Sequence, residues 1–284
     1  MMRCMTSAIA GLKAHQTAMD VVGNNIANVN TNSFKSSSTS FRDTMYQQIA
    51  AGSAGDANRA GVNPSQIGYG ATAAGVTVDN TKGGENATGK NNDVYIDGEG
   101  YLIIGDGAKG GTDAFPGYKY TRVGELSVDS QGYLTDGNGN YVCGQTYDGT
   151  NFTPAYGAGV QPVAIKLPAN AKDTAIGSDG TITCNVGGTV ATVGRIGVAT
   201  FTNASGLEQV GGSYYRTTNN AGTTTYNVPG SGSSGGLVTG ALESSNVDLA
   251  TEFSNMIVYE RGYQANTKII SVADEMLQSL VNMK

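Results

Sequence analysis

The sequence has no tryptophan, a single histidine and three cysteines, and 14% of its 284 residues are charged. Each scarcity excludes something. His15 lies in a helical stretch with no cysteine or carboxylate at ligand spacing, and no Ser/His/Asp or Cys/His arrangement can be assembled without it, so the chain reads as no enzyme. Cys4, Cys143 and Cys184 are odd in number and widely spaced, which fits neither a disulfide framework nor a zinc site. They read as small packing residues, with a Cys143 to Cys184 bridge left open. No apolar run approaches the ~20 residues that span a bilayer, so no membrane insertion is expected. The N-terminal residues lack an apolar stretch long enough for a secretory signal, so a protein soluble when made is expected, and one that, if it leaves the cell, keeps its N-terminus. A net charge of −6 without any Lys/Arg cluster excludes a nucleic-acid partner, because phosphate neutralisation needs concentrated positive charge.

Two glycine-rich segments imitate ligand loops. Gly98-x-Gly100 has neither the third glycine nor the helix that dinucleotide binding requires. Asp136-Gly137-Asn138-Gly139-Asn140 resembles the opening of a calcium loop, but Tyr141 and Tyr147 stand where the glycine and the bidentate glutamate belong. It reads as a hairpin turn, and no cofactor or metal is expected.

What the chain has in abundance is glycine, at 42 residues, and tyrosine, at 15. This is the composition of short strands and turns. From about Gly68 the apolar period is two: Val76 with Val78, Val94 with Ile96, Leu126 with Val128. Asp-Gly pairs begin at Asp97, Asp106, Asp136, Asp148 and Asp179, each able to supply the positive φ of a tight hairpin.

The two ends differ from this middle. Met5, Leu12, Met19 and Ile26 repeat by seven at the N-terminus, as do Leu249, Met256, Tyr263, Ile270 and Leu277 at the C-terminus, with Phe253 in the companion register. The second helix is expected to start near Asp248, with Asn246 or Asp248 as its cap and Glu252 early in it. Both seams fit either a core within the chain or a stem packed against other copies, and the roles are compatible. Asn24, Asn25, Asn28 and Asn30 should fray or end the first helix and serve with Gly52, Gly55 and Gly61 as flexible links. Residues 39–49 read as helical or extended, because Phe41, Met45 and Ile49 fall at i, i+4 and i+8.

The fold class is therefore mixed α and β: discontinuous terminal coiled-coil helices enclosing a central antiparallel β domain. The expected division is 1–35 and 245–284 for the helical domain, 36–70 and 227–244 for linking segments, and 71–226 for the β-rich outer domain.

Particular residues carry a family likeness. They are Met2-Arg3, Ala10 through Gln16, Met19 through Thr31 and Phe34-Lys35; then Asn63 through Gly68, Ile96 through Tyr101, Tyr120 through Leu126 and Gly132-Tyr133-Leu134. Phe201 through Glu208, Ser245 through Leu249 and Met256 through Asn266 complete the pattern, with Ala204 where proline is usual. Together these resemble the bacterial flagellar rod and hook proteins. Phe41 through Tyr46 and the ending Leu280 through Lys284 favour short hook proteins without an extra outer domain over the distal rod.

The resemblance implies a helical homopolymer, a flexible tubular joint that transmits motor torque to the filament. It implies export through the type III apparatus without signal cleavage, an extracellular hook location, and rod proteins, hook–filament junction proteins and a hook cap as partners. Sliding at the links implies that shortening 50–63 stiffens or straightens the tube. A secreted β-rich adhesin is the alternative of another class, and it leaves the heptads unexplained.

Overall fold

The computed structural model describes residues 2–55, 60–107, 115–154, 156, 161–168 and 171–283. The chain divides into two compact units, one of Met1–Val29, Ser36–Asp79 and Val247–Lys284, the other of Asn30–Lys35 and Asn80–Asn246.

The first unit holds both helices. α1 (Met2–Ala27) is free of proline and stops in the asparagine-rich segment. There the Asn28 side-chain amide donates at 2.9 Å to the Asn24 carbonyl, which also accepts the Asn28 N–H at 3.2 Å. α2 (Leu249–Asn282) opens on Asp248, whose carboxylate accepts from the Ala250 N–H and the Thr251 hydroxyl, and Glu252 lies in its first turn. These donors hold the Asp248 carboxyl below its ordinary pKa, the Thr251 hydroxyl most of all.

Between the helices in sequence lie β1 (Ser37–Asp43), β2 (Tyr46–Ala50), β3 (Ser65–Gly68) and β4 (Ala71–Val78). β1 pairs antiparallel with β4, and β2 with β3. The second hairpin extends to a Ser53–Val62 bridge, and residues 56–59 at its tip lie outside the described residues. The segment 36–70, expected as a link, is thus strand-paired. The i, i+4, i+8 placement of Phe41, Met45 and Ile49 fits strand and helix alike, and the small polar residues of β1 give no alternation to read.

The described residues of the second unit form strands and one short 3-10 turn, Ala204–Gly206. Its strands are β5 (Glu85–Ala87), β6 (Val94–Asp97), β7 (Tyr101–Asp106), β8 (Gly117–Thr121), β9 (Leu126–Val128), β10 (Leu134–Asp136) and β11 (Val142–Tyr147). They continue with β12 (Phe152–Thr153), β13 (Val163–Ala164), β14 (Lys172–Ile176), β15 (Thr181–Val186), β16 (Thr189–Ile196) and β17 (Val198–Phe201). Last come β18 (Glu208–Gly211), β19 (Tyr214–Arg216), β20 (Thr224–Asn227), β21 (Gly236–Thr239) and β22 (Ala241–Glu243). The main sheet runs β14-β15-β16-β11-β7-β8-β19-β18, with β17 joining β7 to β20. Strand β7 lies inside this sheet and is buried on both faces. Its period of two sends Leu102 and Ile104 into an aliphatic core with Leu134, Val142 and Ile196, and Tyr101 and Ile103 into an aromatic one with Tyr120, Tyr133 and Tyr215.

The Asp-Gly turns form with one shift. Gly98, Gly107, Gly149 and Gly180 have positive φ, but in the turn after Asp136 it is Gly139 that does, at 81°. Residues 227–244 are not a free link either: β21 pairs with β6 and β22 with β5. The strands are too short to show a period, and the Gly/Ser content that suggests a linker reflects close packing, since a Cβ on Gly235 would lie 2.5 Å from the Asp97 carbonyl. Cys143 and Cys184 are buried free thiols, so no bridge joins them. Burial raises both thiol pKa values, which keeps these side chains protonated packing residues. Among the described residues no helix is long and apolar enough to cross a membrane.

Candidate assembly interface

The helices pack antiparallel inside the first unit, as Asn25 meets Glu252, His15 meets Gly262 and Gly11 meets Asn266. The most covered residues of α1 are small or polar: Ala8, Ala14, Ala18, Val22 and Asn25. A Cβ added to Gly262 would lie 2.6 Å from the His15 ring, and one on Gly11 would lie 2.7 Å from the Asn266 amide nitrogen. Glycine at these two places lets the backbones approach. His15 itself sits in an aromatic cluster, its ring centroid 5.6 Å from that of Phe41 and 6.2 Å from that of Tyr259.

The heptad residues occupy a different position from this tight seam. Met5, Leu12, Met19 and Ile26 are half-buried, as are Met256 and Ile270. Leu249, Phe253, Tyr263 and Leu277 are exposed, Phe253 by 51%. Among the described residues of α2, Ala273 alone is buried. Toward its C-terminus this helix, with its cap residue Met283, carries an exposed apolar stripe of Ile269, Val272, Met276, Leu280 and Met283. Its 3,4,4,3 spacing is visible in the sequence, but the longer repeat from Leu249 to Leu277 overshadows it. An exposed apolar stripe of this length on one helix is a candidate contact surface.

The residues expected as flexible links are held in several places. Asn25 is fully buried: its amide donates to the Ser37 carbonyl at 2.8 Å and to Glu252 at 3.2 Å, while its Oδ1 accepts from the Ser37 N–H at 3.0 Å. It binds α1, β1 and α2 together. Replacing Asn25 by Ala strands three polar partners and should destabilise the first unit by about 2 kcal/mol. Faster amide exchange at Ser37 and a lower melting temperature would show it; wild-type values for both would remove Asn25 from this role. The Asn24 carbonyl accepts from the Asn28 side chain, and Asn30 belongs to the second unit. Gly52 and Gly61 lie on the two arms of the β2–β3 hairpin, where a Cβ would come within 3.0 Å of Pro64 and 3.1 Å of Gly55 and Ser53; Gly55 lies next to the undescribed tip. Outside residues 56–59, the segment 50–63 thus belongs to a paired hairpin.

Nothing in the second unit forms a ligand loop from the 136–140 turn. The Asp136 carboxylate already accepts from the backbone N–H groups of Asn138 and Asn140 and from the Tyr214 hydroxyl, which leaves it occupied by protein donors. Among the described residues no group of three or more His, Cys, Asp or Glu side chains is placed to hold a metal.

Sequence comparisons decide which proteins share this architecture. Family profiles match at residues 5–35 (flagella basal body rod protein), 95–184 (flagellar hook protein FlgE/F/G D1 domain) and 238–283 (flagellar basal body rod FlgEFG protein C-terminal). The flagellar basal-body rod protein FlgG of Bacillus subtilis is 41% identical over 286 residues, covering 100% of both chains. This chain belongs to the flagellar rod and hook protein family.

Within the family, a further rod protein FlgG, from Caulobacter vibrioides, is 32% identical over 100% of both chains. The flagellar hook protein FlgE of Treponema pallidum is 39% identical over 51% of this chain and 30% of its own length. The preference for hook over rod drawn from the residue motifs therefore gives way: likeness to rod proteins runs end to end, and likeness to the hook protein covers half the chain. As a rod and hook family member the chain is a structural protein of the bacterial flagellum.

Proposed function

We propose that the chain is the distal-rod subunit of the flagellar basal body, polymerising into a tube that carries motor torque outward. The observation that carries this reading is the end-to-end colinearity with FlgG rod proteins, which accounts for both helices and the β unit with no length left over. The exposed apolar stripe of α2 supports polymerisation, because repeated contacts between unlike faces that do not close generate an open helical assembly. In this reading the subunit's partners are its own copies, the adjoining rod and hook segments and the type III export apparatus, and it is exported without signal cleavage. The residues carrying assembly are the half-buried and exposed heptad positions of both helices together with Ile269, Val272, Met276 and Leu280.

The hook reading retains the half-chain likeness to the Treponema protein. A strain lacking this chain separates the two. Hook–basal-body particles from it should lack the straight outer shaft; particles with a complete rod and no hook would return the chain to the hook.

A further inference from the structure

The polypeptide passes between its two units four times, at residues 29/30, 35/36, 79/80 and 246/247. On the β-unit side these passages are carried by three short segments, 30–35, the residues from Asn80 onward, and those ending at Asn246. All three meet at one carboxylate. Glu243 is buried; its Oε1 accepts from the Lys35 ammonium at 2.6 Å and from the Gly83 N–H at 2.9 Å, and its Oε2 accepts from the Arg122 guanidinium at 2.7 Å. Lys35 Nζ also donates to the Thr81 carbonyl at 2.6 Å.

The backbones of the same segments are tied to one another. The Ser33 N–H donates to the Glu243 carbonyl, the Asn246 N–H to the Phe34 carbonyl and the Ser244 N–H to the Gly84 carbonyl. The segments lie so close that a Cβ on Gly83 would sit 1.9 Å from the Ser244 carbonyl oxygen. Ser33, buried with a φ of 58°, is held in this left-handed conformation by its N–H bond and by its hydroxyl on the Arg122 carbonyl. Arg122 roots the cluster in the sheet region, donating to the carbonyls of Ile96, Gly98 and Gly100.

An Arg–Glu–Lys triad sealed from water is a poor choice for stability alone, since apolar residues of the same volume often do as well. What it supplies here is a fixed geometry for three chain segments. We propose that the Glu243 carboxylate is a mechanical clasp: it binds the three segments that carry every passage between the two units into one cooperative block, so that load on any passage is shared by all. The mechanical purpose rests on the torque-carrying reading above, whereas the clasp itself is a property of the single chain.

Amide hydrogen exchange on the full-length monomer tests it. In Glu243→Gln, protection at Ser33, Gly83, Ser244 and Asn246 should fall together by tenfold or more while β7 and β11 keep theirs. Lys35→Met, which keeps the Glu243–Arg122 pair but cuts 30–35 from the carboxylate, should lower protection at Ser33, Ser244 and Asn246 together by a smaller factor; it decides the matter should Glu243→Gln fail to fold. Pulling on the full chain by handles at residues 29 and 247 should open Glu243→Gln at a lower force than wild type. Loss of protection in one segment only, or unchanged exchange and opening force, overturns the clasp. Because this is read on monomers, a misplaced rod assignment leaves the result unaffected.

Discussion

Replacing Glu243 by alanine is expected to lower the stability of the β unit by about 3–5 kcal/mol, the range for removing one partner of a buried ion pair. The substitution leaves Lys35 and Arg122 buried without their carboxylate and the Gly83 N–H without its acceptor. For a domain whose total stability is typically ~5–15 kcal/mol this is a large share, and a urea melt of the full chain should show the β unit unfolding at a much lower midpoint. Glu243 also fixes the sign of a pH effect. Burial alone would raise its pKa, but the Arg122 charge and hydrogen bond, the Lys35 bond and the Gly83 N–H outweigh that and hold it below the ordinary glutamate value. Its contribution is thus complete above the unfolded-state value of about 4.3 and is lost as pH falls through the lower folded value. Glu243→Gln should flatten this acid limb of the stability curve. An acid midpoint that stays put in the variant would assign the limb to other carboxylates.

Converting Met276 and Leu280 together to lysine should abolish polymerisation while leaving a folded monomer. Both side chains are exposed in the single chain, and lysine has helix propensity close to theirs and suits the C-terminal end of a helix, so the fold loses little. In an assembly that buries this stripe, two unpaired ammonium groups would be desolvated. At about 2 kcal/mol for each side chain replaced at the centre of an interface, subunit affinity falls by roughly a thousandfold. Far-UV circular dichroism and sedimentation read the two halves of the expectation. Tubes formed by the double variant at wild-type concentration would exclude this stripe as the assembly face.

Much of the architecture was legible in the residues. The proline-free heptads marked both helices, Asn246 and Asp248 marked where α2 is capped, with Asp248 the one that caps it, and the switch to period two together with Asp-Gly pairs marked an antiparallel β middle. The tight helix seam was harder to see, because heptad reading seeks large apolar residues whereas Gly11, Ala18 and Gly262 pack by being small. The hairpin of β2 and β3 and the strands β21 and β22 hid behind glycine and serine content that suits both linkers and close packing. Lys35, Arg122 and Glu243 could not be joined at all from sequence: Lys35 and Glu243 lie 208 positions apart, and single charged residues default to the surface. Lys35 and Arg122 both fell within the motifs of the family likeness, which was the only hint of their burial. The motif preference for hook over rod is outweighed for a related reason, since the short motifs are shared and the full-length colinearity with rod proteins favours the alternative.

If this chain builds the straight distal shaft, immunogold electron microscopy of isolated hook–basal-body particles with antibody against the β unit should place gold along the straight rod below the hook; gold distributed along the curved hook would contradict the distal-rod assignment.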